Sequence, residues 1–180
     1  MTGRLSCGLL VVALIGAAGG LAVLFASDSR EEPVPSLAVA TSQVTAEELS
    51  EVARRRVFFG HMSVGANILD GMETLYRAFG SDKLQLVEFD RAGPLPDVAG
   101  GVILHTAIGD NGDPVGKLRN FDAVLRSGLA DQVDVAVVKF CYVDLTQGTD
   151  VEALFAQYRT TLDGLERDYP KVRFLHATAP

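Results

Sequence analysis

Arg56-Val57-Phe58-Phe59-Gly60-His61-Met62-Ser63-Val64-Gly65-Ala66-Asn67-Ile68-Leu69 decides how the rest of the chain is read. The stretch opens as a short apolar run, turns polar at Gly60 and takes helical spacing from Ile68. That is a strand, a tight turn and a helix. Ser63 then lies at the mouth of a sheet, beside the free backbone N–H groups of a helix start. Two roles fit a serine there. Its hydroxyl can cap the helix. It can also attack an electrophilic carbon, with the nearby N–H groups holding the developing charge.

Working outward, a helix is expected over about Ala66 to Phe79, with Ile68, Leu69, Met72, Leu75, Tyr76 and Phe79 on one face and Gly80 as its stop. Leu84 to Phe89 reads as a strand, Gly93 to Pro96 as loop, and Gly101 to Thr106 as a short strand. Gly109-Asp110-Asn111-Gly112-Asp113-Pro114 is a dense turn cluster. A helix follows over Val115 to Leu129, with Leu118, Phe121, Val124 and Leu125 inward. Val133 to Phe140 is the clearest strand, and its run Val135-Ala136-Val137-Val138 suits a central parallel strand covered on both faces. Val151 to Tyr169 reads as a helix with Val151, Leu154, Phe155, Tyr158, Leu162 and Leu165 on one face. Pro170 ends it, and a last strand runs from Val172 to Leu175.

Strands alternating with helices predict an α/β fold: a doubly wound, mostly parallel sheet of about five strands. In such sheets the sites form at the carboxyl ends of the strands. His61 and Ser63, the 109–114 turn, Cys141 to Asp144, and His176 to Thr178 all fall at or just beyond those ends.

Upstream, Thr45-Ala46-Glu47-Glu48 forms a capping box that opens a short helix to about Arg54, so the domain is read as residues 45–180. Residues 28–44 hold two prolines and a Ser/Thr/Ala tract and read as a linker. Residues 1–27 read as a targeting segment. Gly8 to Ala26 carries no charge, Arg4 precedes it, and Asp28, Glu31 and Glu32 follow. A run of that length suits a hydrophobic helix that is either a retained membrane anchor or a cleaved signal peptide, and the charge order places the domain on the extracytoplasmic side.

The chain of 180 residues is 48% hydrophobic and 22% charged, enough for one packed domain plus an extension. With a net charge of -7 and no basic run beyond Arg54-Arg55-Arg56, nucleic-acid binding is not expected. Cys7 and Cys141 are too few and too separated for a zinc site of CxxC type. Cys141, after an apolar run, reads as a small core residue. His61, His105 and His176 match no compact ligand spacing, so no metal or other cofactor is expected. Gly60-x-x-x-x-Gly65 is followed by Ala66-Asn67 where a phosphate loop needs Lys-Ser/Thr.

The segment Gly60-His61-Met62-Ser63-Val64-Gly65 resembles the first block of the SGNH/GDSL hydrolases. The order of later segments is similar too. Ile108 to Pro114 sits where that family has its oxyanion glycine, Lys139 to Asp144 where it has its block after the central strand, and Phe174 to Pro180 where it has its last strand. The resemblance covers about residues 57–180. It implies a flavodoxin-like sheet and hydrolysis of an ester or acyl group. Ser63 would be the nucleophile, and Gly109 or Gly112 with Asn111 would form the oxyanion region. His61 and Asp144 would be accessory residues, and the substrate a small-molecule or glycan ester.

Two family features are missing. Val143 stands at the position of the family's asparagine, and no Asp-x-x-His follows the last strand. The chain therefore reads as a fragment or as a degenerate domain, and little turnover is expected from it. The alternative expectation is a non-catalytic module of the same fold that binds a ligand such as a glycan.

Overall fold

The computed structural model describes residues 44–80, 84–97 and 100–177. The targeting segment and most of the linker lie outside the described residues. Among those described, no helix is long and apolar enough to cross a membrane.

The chain opens with α1 (Ala46–Val52), whose capping box forms as expected: Thr45 Oγ1 accepts from the Glu48 amide, and Glu48 accepts from the Thr45 amide. Then follow β1 (Arg56–His61), α2 (Ser63–Ala78), β2 (Leu86–Glu88) and β3 (Val102–Ala107). After α3 (Pro114–Arg126) come β4 (Val135–Val138), α4 (Val151–Asp168) and β5 (Arg173–His176). Single 3-10 turns occupy Leu129–Asp131 and Tyr142–Asp144.

The five strands form one all-parallel sheet in the order β2-β3-β1-β4-β5. The α/β sheet flanked by helices is the expected class. Its order differs from the 2-1-3-4-5 of flavodoxin-type sheets, because β2 lies outside β3 and not beside β1. The central strand is β1, with β4 next to it.

Strand periodicity assigns the two faces. Phe58, Val102, Leu104, Ala136, Val138 and Phe174 point to a first face, where they meet Leu118, Phe121 and Leu125 of α3 and Leu154, Leu162 and Leu165 of α4. The Phe58 and Phe121 rings stack at 5.4 Å. Phe59 and Ile103 point to the second face and meet Leu69 of α2, with Val57, Met72, Leu86 and Val137 around them. Tyr76 ties α2 to α1 by donating its hydroxyl to the Leu49 carbonyl at 2.7 Å. The second face is thinner: Val135 and Val137 are half-buried and Leu175 is exposed.

At the amino edge, Arg56 ties β1 to the residue before β4. Its guanidinium donates to Asp134 at 2.7 Å and its amide at 2.9 Å.

The elements differ from the sequence reading mostly at their ends. α2 begins at Ser63, three residues before Ala66, and Ile68 is exposed because the buried side runs through Gly65, Leu69 and Tyr76. β2 has three residues where six were expected, as befits an edge strand with one neighbour. β4 keeps only its apolar centre. α3 stops at Arg126, and Gly128, at φ +113, turns the chain into a 3-10 turn. On α4, Val151 and Phe155 share the helical spacing of Leu162 yet are more than half exposed, because they lie beyond the sheet's cover.

Candidate functional site at the carboxyl edge

All five strands are parallel, so every strand end named above lies at one edge of the sheet. At that edge the connections part. The chain leaves β1 over the second face into α2, whereas it leaves β3 and β4 over the first face into α3 and α4. In open α/β sheets the crevice for a ligand is expected where neighbouring connections diverge in this way. Ser63 lies on the second-face side of that divergence, and the loops after β3 and β4 on the first-face side.

Ser63 is the first residue of α2, and the N-cap is Met62, in extended conformation with no side-chain cap. The helix-cap role for Ser63 is therefore not realised. Its side chain is exposed, and among the described residues its hydroxyl has no hydrogen-bond partner. The Gly65 amide already donates to the Met62 carbonyl at 2.6 Å. The orphan amides of the uncapped first turn are thus those of Ser63 and Val64.

His61 is buried, and neither of its ring nitrogens is bonded to Ser63. Its ring lies under Gly65, where an added Cβ would stand 2.3 Å from His61 Cγ, and it stacks on Phe59 at 4.9 Å. His61 Nδ1 lies 2.9 Å from the Met62 carbonyl, which can only accept, so Nδ1 carries the hydrogen. In the neutral ring Nε2 is then an acceptor, and it takes the Nδ1–H of His105 at 3.2 Å. Both ring nitrogens of His61 are engaged, and Nε2 of His105 is left as the outer lone pair of the pair. Burial and then the neighbouring His61 hold the pKa of His105 below the ordinary histidine value, with Glu88 of β2 acting against them.

On the other side of the crevice a buried ion pair joins the two loops. The side chains of Lys117, in the first turn of α3, and Asp144 are both 0% exposed. Lys117 Nζ donates to Asp144 Oδ1 at 2.7 Å and Oδ2 at 2.6 Å. Asp144 also accepts the Gly112 amide at 2.8 Å and the Cys141 amide at 2.7 Å. Gly112, at φ +86, reaches that orientation because it lacks a Cβ. Its N–H is committed to Asp144. Gly109 packs half-buried against the Lys117 stem. Asn111 is exposed, with Oδ1 3.5 Å from Lys117 Nζ. Cys141 is buried, as a small core residue should be.

Lys117 escaped the sequence reading, although a signal exists. It precedes Phe121 by four residues and Val124 by seven, so it occupies the apolar stripe of its helix. A charged residue there needs a buried partner.

His176, at the end of β5, is hydrogen-bonded to the Tyr158 hydroxyl at 2.8 Å. Both line a mostly apolar groove of about 600 Å³ with Phe140, Leu145 and Phe155. Burial and then Glu166 push the Tyr158 phenol up. Among the described residues no group of three His, Cys, Asp or Glu side chains could hold a metal ion.

No protein-family model, curated protein or solved structure matches the chain.

Proposed function

We propose that the domain is an SGNH-like hydrolase of ester or acyl groups, with Ser63 as nucleophile, acting on the extracytoplasmic side of a membrane. The observation that carries this reading is the place of Ser63: an exposed, uncommitted hydroxyl at the uncapped start of α2, beside the crevice where the connections diverge. The Ser63 oxygen would bond to the acyl carbon, and its proton would pass to a base. The oxyanion would rest on the Val64 amide and on donors from the loop at Gly109 and Asn111. Collapse would expel the alcohol, and water would then release the acyl group from Ser63.

Among the described residues no histidine nitrogen is hydrogen-bonded to Ser63: both of His61 are engaged, His176 is paired with Tyr158, and the free Nε2 of His105 makes no hydrogen bond to it. The same observation favours a second reading, a binding module that uses the crevice for a glycan or similar ligand without turnover.

A fluorophosphonate probe separates the two, with imidazole added as an external base. Labelling at Ser63 that rises with imidazole and disappears in Ser63→Ala supports the hydrolase. No labelling at either condition, or equal labelling of Ser63→Ala, removes Ser63 as nucleophile and leaves the binding module.

A further inference from the structure

Lys117 and Asp144 are not needed at the carboxyl edge for stability alone. Burying two charges costs several kcal/mol before their attraction is counted, and apolar residues of similar size often serve as well. What the pair does, and apolar residues could not do, is orient its neighbours. An ammonium only donates hydrogen bonds. Two of its contacts go to Asp144, and the third faces Asn111 Oδ1 at 3.5 Å. That contact fixes the amide's sense: the oxygen is the atom nearer Lys117, which leaves Nδ2 without a partner among the described residues. The Gly112–Asp144 bond anchors the backbone one residue further on. A long, single-point contact to an exposed side chain would be loose by itself. Here the ammonium is held by a carboxylate that two backbone amides hold in turn.

We propose that Lys117, held by Asp144, is a positioning residue that presents the Asn111 side-chain amide to the crevice as a donor for the oxyanion. This rests on the hydrolase reading above. Val143 cannot donate from its side chain, and Asn111 supplies the missing donor from the other loop.

The test uses the full chain, a fluorophosphonate and added imidazole, with the labelling rate at Ser63 as readout. Removing one oxyanion donor slows reaction on the order of 10²-fold, so Asn111→Ala should lose about that much. Lys117→Met combined with Asp144→Asn removes both charges, and its melting curve shows whether it is folded. It should lose a similar factor, and adding Asn111→Ala to it should cost nothing more. Lys117→Gln with Asp144→Asn keeps a buried hydrogen bond, and is the second variant should the first not fold.

The side-chain NH₂ signals of Asn111, assigned by their loss in Asn111→Ala, should shift in either paired variant. A folded paired variant that labels at the wild-type rate overturns the inference, and so does a full further loss on adding Asn111→Ala. If Ser63 of the unmodified chain is not labelled at all, the hydrolase reading fails by itself. The amide signals then decide the orienting role: a shift supports it, and unchanged signals overturn it.

Discussion

His105 donates its Nδ1–H to Nε2 of His61 across 3.2 Å, and the pair can take up one proton without breaking that bond, but not two. The proton adds at His105 Nε2. The folded pKa of His105 is lowered, by burial and by His61, whereas an unfolded histidine titrates near about 6.5. Between the two values the unfolded chain binds more protons, so stability rises with pH there. The contribution is complete above about pH 6.5 and is lost as pH falls toward the folded value. Urea unfolding across pH 5 to 7.5 should show this slope, and His105→Gln should flatten it.

Lys117→Ala should be among the most damaging single changes in the domain. It leaves Asp144 buried and unpaired, a loss of about 3–5 kcal/mol against a total of about 5–15 kcal/mol for a domain of this kind. Thermal melting should show a midpoint lowered by about 10–20 °C. A melting point within a few degrees of wild type would mean that water reaches Asp144.

Gly65→Ala should destabilise by about 1–3 kcal/mol, toward the upper end, because its methyl would overlap the His61 ring. Adding His61→Gly, which removes both the ring and the Cβ that would stand 2.3 Å from that methyl, should recover much of that loss. Chemical denaturation of the two single variants and the double variant closes the cycle, and simple additivity would show that the contact is not what excludes a side chain at residue 65.

Asp134→Asn should cost about 0.5–1 kcal/mol, a modest figure because the Arg56–Asp134 pair is about a third exposed and screened by solvent. Hydrogen bonding from Arg56, and its charge, hold the Asp134 carboxyl below the ordinary carboxylate range. Its contribution is therefore full above about pH 3.9 and lost as pH falls through the lower folded value. Comparing the acid unfolding of wild type and variant would detect it, and identical acid limbs would show that the pair contributes nothing.

The capping box at Thr45, the apolar centre of β4 and the passage from strand to helix between Gly60 and Ala66 were legible because each rests on local chemistry. The crowding of polar clusters at one edge followed from alternation alone. The position of β2 outside β3 did not, since nothing local tells a three-residue strand which neighbour it will pair with. Val151 and Phe155 carry a helical period that says they share a face with Leu162, but not that the cover ends before it reaches them. In the site, Ser63 could be found by its place in the turn. His61 with His105, and Lys117 with Asp144, could not, because each pair joins residues from separate elements.

The two ionic ties that flank the central strand sit in different surroundings. Arg56–Asp134 at the amino edge is open to water, and Lys117–Asp144 at the carboxyl edge is dry. Dissolved salt weakens the first and hardly touches the second. The loops around the crevice should therefore keep their geometry from dilute medium to brine, while the opposite end of the sheet adjusts to the ionic strength around it.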